Sequence, residues 1–431
     1  MRTASRNAVL FGVVPLATAL IATACSRGLR DGATASAEVP KPGDAPAVGD
    51  AAAPLSAPAT QASAAEPKGP PPRPGMAWVP PGVLLAGTAP DKTPRIAEEE
   101  LPGTPIQLNG FYIDLLAYPN EPGAIATTNV SREDAAHLCE AKGKRLCTEY
   151  EWERACKGPD NTSYEYGDAY RAAACGTGVS ALVSARRPSG ERVQCKSGFG
   201  LLDMHGGPWE WTDSAWRRGA HASPTPLYVL RGGNAEAGEL AGRCANALAR
   251  RPVVKSPWMG FRCCAGPKND PDMEFELKRG AVLERSAKPS ELAAPLVALG
   301  TKIWGSDGAG AFVATHAWTW RPVPNEELRV TSGCAHPPDA REKGGRCGVL
   351  VARVTEGGAS VDAGAAIGDA GGVAPGVHLL AQIDSGHQLS DVVLFGNPKL
   401  VRMWGIDAKG AFVREIGYAY GRVDVAEPKR H

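Results

Sequence analysis

The chain has 431 residues with 47 basic and 46 acidic side chains, so its formal charge is close to zero. That balance, with no basic stretch interleaved with aromatics, excludes nucleic acid as an expected partner. Eleven cysteines in an exported chain read as disulfides rather than metal ligands.

Met1–Ala24 opens with Arg2 and Arg6, runs uncharged and apolar from Ala8, and ends in Ala22-Thr23-Ala24-Cys25. A basic start, a short apolar run and small residues before a cut describe a secretory signal. Cys25 directly after those small residues resembles a bacterial lipobox, which predicts Cys25 as the acylated first residue of a lipoprotein. Simple cleavage without a lipid is the alternative. The expected location is the bacterial cell envelope, on its periplasmic or extracellular face, with membrane contact through the lipid. Residues 25–75 are rich in Ala, Pro, Gly and Ser and poor in large apolar side chains. Such a segment buries too little surface to offset its chain entropy and reads as a disordered tether.

MAWVPPGVLLAGT follows at Met76–Thr88, then FYID at Phe111–Asp114. The stretch VSREDAAHLCEAKGKRLCTEYEWERACKG at Val130–Gly158 is the most helical. Ser131 with Asp134, and Thr148 with Glu151, have the spacing of capping boxes, which predicts two short helices separated by the turn KGK. Glu149, Glu151 and Glu153 are most simply a solvated helix face. GFGLLDMHGGPWEWTDS at Gly198–Ser214 cannot be a helix interior, because Gly206, Gly207 and Pro208 interrupt it. Its carboxylates Asp203 and Glu210, with carbonyls between them, suit a hard cation such as calcium, held by oxygens at about 2.3–2.6 Å. The residues alone leave equal room for a surface turn between core tryptophans Trp209 and Trp211. RGGN at Arg231–Asn234 and MGFRC at Met259–Cys263 complete the series. No histidine pair has HExxH spacing; His205 lies inside the glycine loop and reads as a partly exposed loop residue.

These six motifs, in this order over residues 76–267, resemble the formylglycine-generating enzyme (sulfatase-modifying factor) family. The resemblance implies an α+β, irregular, loop-rich domain distantly related to C-type lectins. It implies a structural calcium held by the side chains of Asp203 and Glu210 and the carbonyls of Gly206 and Pro208. A second family calcium site does not carry over, because Tyr170–Gly178 lacks the required Asn and Asp. It also implies the disulfides Cys139–Cys263 and Cys156–Cys244. Active members oxidise a substrate cysteine to formylglycine with O2, using copper held by two cysteines shortly after RGGS. Here Asn234 replaces that serine, Ala237 stands at the first cysteine position, and the second falls near Gly242 or is deleted. Cu(I) selects paired soft thiolates, so copper and the oxidase chemistry are not expected. Cys244 is the one weak catalytic candidate, and its surroundings resemble the family's structural cysteine instead.

By elimination and proximity, the remaining pairs are expected to be Cys147–Cys264, Cys175–Cys195 and Cys334–Cys347. From about Glu276 the pattern turns to alternating apolar segments: Ala311–Trp320, Gly348–Val354, Val392–Gly396 and Gly417–Val425. KIWGSDGAGAFV at Lys302–Val313 and RMWGIDAKGAFV at Arg402–Val413 form an internal repeat, read as a repeated hairpin. A small all-β domain over 277–431, sandwich or barrel, would follow. Its aromatic positions (His316, Trp318, Trp320, Tyr418, Tyr420) read as core rather than as a glycan or peptide stripe, and Glu356–Gly376 as a loop insertion.

The leading expectation is an exported, lipid-anchored protein whose formylglycine-generating-enzyme-like domain is a non-catalytic binding or structural module for a peptide or glycan. The alternative is an oxidase with an altered active site at Cys244, which a free thiol would favour and a bond to Cys156 would oppose. A third reading places the function in the β domain.

Overall fold

A computed structural model describes residues 70–178, 187–218, 225–233, 238–273, 275–305, 310–335, 346–355 and 376–430. The signal, Cys25, the tether up to residue 69, Asn234, Ala237 and nearly all of the 356–376 insertion lie outside the described residues. Pro67–His431 form one compact unit. Among the described residues, no helix is long and apolar enough to cross a membrane.

The N-terminal half is built from short strands: β1 (Met76–Val79), β2 (Gly82–Gly87), β3 (Pro102–Leu108), β4 (Phe111–Asp114) and β5 (Arg145–Leu146). They are joined by β6 (Trp209–Ala215), β7 (Tyr228–Arg231), β8 (Ala247–Arg250), β9 (Met259–Phe261) and β10 (Cys263–Ala265). One sheet has the order β1-β4-β10-β5, a second β8-β7-β6-β9, and β2 and β3 form a hairpin. The last residues of the expected tether are already docked here, since Tyr112 Oη donates to the Pro71 carbonyl at 2.5 Å.

Two helices pack on these sheets. Helix α1 (Arg132–Glu140) starts at Ser131, whose hydroxyl accepts from Asp134 N while the Asp134 carboxylate accepts from Ser131 N. Helix α2 (Glu149–Lys157) repeats the reciprocal cap with Thr148 and Glu151. All nine residues of α2 are buried, which overturns the expectation of a solvated glutamate face. Glu149, Glu151 and Glu153 are 4%, 0% and 1% exposed. An unpaired carboxylate at such depth costs several kcal/mol, and each one has a cationic partner. Arg145 grips Glu151 through both oxygens at 2.7 and 2.8 Å. Arg231 reaches Glu149 at 2.7 Å and Glu153 at 2.9 Å, and Arg218 also pairs with Glu149. Lys157 lies 2.9 Å from Glu153; burial pushes its ammonium below the ordinary lysine range, and Glu153 opposes that shift.

Disulfides tie the loops to this frame: Cys139–Cys263, Cys147–Cys264, Cys156–Cys244 and Cys175–Cys195. Adjacent Cys263 and Cys264 sit on β10, where successive side chains face opposite sides. One therefore joins the cluster of Trp211 and Phe261 and the other the cluster of Trp152 and Phe111. In the chain-entropy account a loop as long as that of Cys139–Cys263 is worth about 4–5 kcal/mol.

The C-terminal half differs from an all-β expectation by one helix. Pro289–Trp304 is helical over 16 residues, with Pro289 in its first turn, a position whose missing N–H costs nothing. Strands β11 (Leu283–Arg285), β12 (Phe312–Trp320), β13 (Leu328–Ala335), β14 (Arg346–Val354) and β15 (Val377–Gly386) form one antiparallel sheet in chain order. Strands β16 (Leu389–Asn397), β17 (Leu400–Asp407), β18 (Gly410–Ala419), β19 (Arg422–Val425) and β20 (Lys429–Arg430) form the second. The sheets share a core of Trp318, Trp320, Val351, Met403, Phe412 and Tyr418. The helix covers the first sheet's other side through Leu296, Leu299 and Trp304. It can approach because Gly300 and Gly348 have no Cβ: one would come within 2.5 Å of Phe312 and 2.1 Å of Trp304, respectively. Cys334 and Cys347 are directly opposite on β13 and β14 and are bonded.

The repeat does not fold twice. Arg402–Val413 is a hairpin, with Asp407 facing Gly410. In the other copy Lys302–Trp304 ends the helix and Phe312 and Val313 begin strand β12. The Ala- and Leu-rich residues ahead of it carry helical propensity through Trp304. Both repeated phenylalanines are buried all the same, Phe312 at 2% and Phe412 at 1% exposure.

Replacing Glu151 by Ala is expected to destabilise the protein by about 3 kcal/mol, through the lost cap and the stranded Arg145. Glu140→Ala, at an exposed position of α1, should stay within about 0.5 kcal/mol. Urea unfolding midpoints at constant m would separate them; equal midpoints would contradict the buried-glutamate arrangement.

Candidate functional site

Strand β6 carries Trp209, Glu210 and Trp211 between β7, the RGG strand, and β9, the MGF strand. Glu210 pairs in register with Arg231 on one side and Gly260 on the other. This places the WEW strand between the strands of the RGGN and MGFRC motifs in one sheet. Glu210 is 1% exposed. Its two oxygens receive Arg262 Nη2 at 2.9 Å and Arg262 Nε at 2.7 Å, with Trp152 Nε1 a further donor at 2.7 Å. Arg262 also donates to the carbonyls of Asp114, Leu115 and Leu202 at 3.1–3.3 Å. Burial alone would depress the Arg262 guanidinium, but Glu210 more than offsets this and holds it above its ordinary value.

Asp203 sits at φ 52°. Its Oδ2 accepts from Gly190 N at 2.6 Å, while its buried Oδ1 has no partner. Burial pushes its carboxyl above the usual carboxylate range, against the opposing pull of the Gly190 N–H and Arg192. The Gly206 carbonyl accepts from Arg192 Nη1 at 3.2 Å. Two of the four expected calcium donors are therefore already engaged by guanidiniums. Glu210 is fully engaged by a guanidinium, and Arg192 stands against Gly206. A divalent cation would add its charge beside two arginines, so the residues present do not fit it.

His205 is fully buried, which corrects the expectation of a partly exposed loop residue. Its backbone N–H and its ring Nδ1 meet the two oxygens of Glu165 at 3.1 and 2.9 Å. Glu165 in turn touches the sulfurs of Cys175 and Cys195 at 3.0 and 3.1 Å. Its carboxylate is thus wedged between the two disulfides Cys175–Cys195 and Cys156–Cys244. Close groupings of these cysteines with Glu165 are not metal-ligand sets while the sulfurs are bonded to each other.

Where the family's copper cysteines are expected, Ala237 lies outside the described residues, and Gly242 has only its backbone N–H, bonded to the Gly238 carbonyl at 3.1 Å. Cys244 is bonded to Cys156 of α2 and is fully buried. All ten described cysteines are in disulfides, so no thiolate is free among the described residues. Arg231 fixes the Cys244 segment by donating to the Cys244 and Ala245 carbonyls at 3.3 and 2.9 Å. Sequence reasoning assigned no role to Arg231, Arg262 or Glu165. The two arginines stood inside quoted motifs, which was the available signal; Glu165 had none.

A calcium ion at a hundredfold its Kd would add about 2.7 kcal/mol to stability. Thermal unfolding in millimolar calcium and in EGTA is therefore expected to give the same Tm, and a drop of several degrees in EGTA would restore the calcium reading. Arg262→Met, which strands the Glu210 carboxylate, should destabilise by about 3–5 kcal/mol in either buffer.

Residues 118–266 match the sulfatase-modifying factor enzyme 1-like domain family. The chain is 28% identical over 163 residues to the inactive C-alpha-formylglycine-generating enzyme 2 of Bos taurus, covering 33% of this chain and 51% of that protein. It is 28% identical over 182 residues to the formylglycine-generating enzyme of Mycobacterium tuberculosis, covering 32% and 56% respectively. The chain thus spans about half the length of the curated relatives it matches. Among solved structures, PvdO from Pseudomonas aeruginosa aligns with 44% of this chain and 93% of its own, at a TM-score of 0.34 and 19% identity. Residues 118–266, built around the Glu210 strand and its cysteine pairs, are a formylglycine-generating-enzyme-like domain of the sulfatase-modifying factor kind.

Proposed function

We propose that this is an exported, lipid-anchored envelope protein whose formylglycine-generating-enzyme-like domain is a non-catalytic binding or structural module. The observation that carries the reading is the bond between Cys244 and Cys156. The remaining candidate for a copper-binding, oxidisable thiolate is bonded as a disulfide and is not a thiolate, and Gly242 supplies no side chain. A relative named as an inactive formylglycine-generating enzyme supports the view that the scaffold is used without its chemistry. Five disulfides support an oxidising compartment, and the lipobox-like Ala22–Cys25 supports a lipid at Cys25.

In this reading the domain has the C-type-lectin-like architecture of its family, stabilised by Arg262 and the disulfides. The surface that receives a peptide in the active enzymes is retained for a peptide or glycan ligand.

Incubating the full chain with copper, O2 and a cysteine-containing sulfatase-type peptide is expected to give no stoichiometric copper uptake and no aldehyde by mass spectrometry. Peptide mapping without reduction should return the Cys156–Cys244 pair. Stoichiometric copper together with aldehyde formation would overturn the non-catalytic reading. Labelling of cells with an alkyne fatty acid should mark the protein and be abolished by Cys25→Ser; label that survives the substitution would overturn the anchor.

A further inference from the structure

A cavity of about 520 Å³ opens where the two halves meet, within the range of small-molecule sites. Three segments line it: the β2–β3 connection through Arg95 and Leu101, the linker Phe275–Arg279, and the β12–β13 turn with Arg321 and Glu326. None belongs to the Glu210 strand or its neighbours.

The cavity is lined by four basic and four acidic side chains, but three of the glutamates are engaged by arginines outside the lining. Glu100 is held by Arg243 through both oxygens at 2.7 and 2.6 Å. Glu327 lies 2.7 Å from Arg321 and 2.9 Å from Arg329. Glu326, buried to 3% exposure, accepts from Arg353 Nε at 2.6 Å and from Tyr418 Oη at 3.0 Å. That leaves Arg95, itself 3% exposed. Its nearest carboxylate oxygen, on Glu326, is 3.8 Å away, and its Nε has no partner. Two buried guanidiniums thus share one carboxylate. Burial pushes Arg95 below its ordinary value, and the neighbouring Arg353 acts in the same direction against the pull of Glu326. Such a desolvated, underpartnered cation favours an anion.

The backbone holds Arg95 in place. Tyr420 and Gly421, both at positive φ, form the tight turn between β18 and β19, and the Tyr420 carbonyl accepts from Arg95 N at 2.9 Å. A Cβ on Gly421 would come within 2.9 Å of Arg95 Cγ, so the turn closes directly over the side chain. At the rim, Lys278 and Arg279 are exposed and make no ion pair among the described residues; Glu276 is the exposed acid beside them. Ala97, Leu101 and Phe275 supply apolar wall.

We infer that this cavity is a binding site for a small organic anion, its carboxylate or phosphate directed to Arg95 and its apolar body set against Leu101 and Phe275. The site is independent of the peptide or glycan surface proposed above.

Isothermal titration of the full chain with phenyl phosphate, benzoate and benzyl alcohol tests it. At least one of the two anions is expected to bind, the stronger one identifying the preferred head group, and the neutral alcohol is expected not to bind. Arg95→Met leaves Glu326 with Arg353 and Tyr418, and should weaken anion binding by at least about tenfold with near-ultraviolet circular dichroism unchanged. The double surface variant Lys278→Ala/Arg279→Ala, remote from the core, should weaken it by about threefold or more at low salt. The inference is overturned if neither anion binds, if benzyl alcohol binds equally well, or if a folded Arg95→Met retains wild-type affinity. Should Arg95→Met not fold, unchanged affinity in the double variant overturns it equally.

Discussion

Helix α2 puts three glutamates, an arginine and a lysine into the interior within nine residues, and the rest of the N-terminal half is arranged so that each can stay there. A buried carboxylate without a partner is costly enough to unfold a domain of ordinary stability. The partners come from outside the helix: Arg231 from the end of the RGG strand, Arg145 from β5 just ahead of it, and Arg218 from beyond β6. The neighbouring strand repeats the solution with Arg262 on Glu210. These pairs orient the strands more than they drive folding, since a buried ion pair gains little over an apolar core of the same shape. They make the assembly intolerant of alternatives, because any slip in β6 or β7 strands a charge.

Disulfides supply the covalent counterpart. Short strands and long connections bury little surface per residue, and the bonds from β10 to α1 and from α2 to the Cys244 segment restrict the unfolded chain. The same bond that braces α2 removes Cys244 from any role as a thiolate. Scaffold reinforcement thus falls on the one cysteine that the sequence left as a candidate thiolate. Glu210 beside the glycine loop is likewise met by a side chain, Arg262, so its charge is neutralised within the polypeptide.

The C-terminal half is connected to this scaffold through charge as well as apolar contact. Ala97 of the β2–β3 connection joins the core of the sandwich, and Arg422 grips Glu239 through two bonds at 2.8 and 2.6 Å. Arg353 reaches back to the Pro90 and Gly421 carbonyls. Tyr418, whose hydroxyl is pushed well above the ordinary tyrosine range by burial and by Glu326, remains a neutral donor there. The cavity beside Arg95 exists only because these segments meet.

The sequence by itself determined what depends on near neighbours. Ser131 with Asp134 and Thr148 with Glu151 specify helix starts because a capping box closes within one turn. The alternation in Ala311–Trp320 and Gly348–Val354 specifies strands, and the paired positive-φ turn at Tyr420-Gly421 lies within one expected strand segment that it divides. The motif series was likewise legible as a family resemblance, and with it the position of Glu210 between two tryptophans. What only the tertiary structure decided is which charges are buried and which groups face each other. Glu149 and Glu153 read as part of a solvated face because Arg231 lies 82 and 78 residues away; Arg145 is six residues from Glu151, but only the fold of β5 turns it onto the helix. His205 read as a loop residue because Glu165 is 40 positions away. The two copies of the Trp-Gly-x-Asp repeat diverged because local sequence ahead of Lys302 favours a helix, whereas Arg402 is already in a strand. Burial, ion pairing and cavities are properties of segments brought together in space, and no local pattern along the chain encodes them.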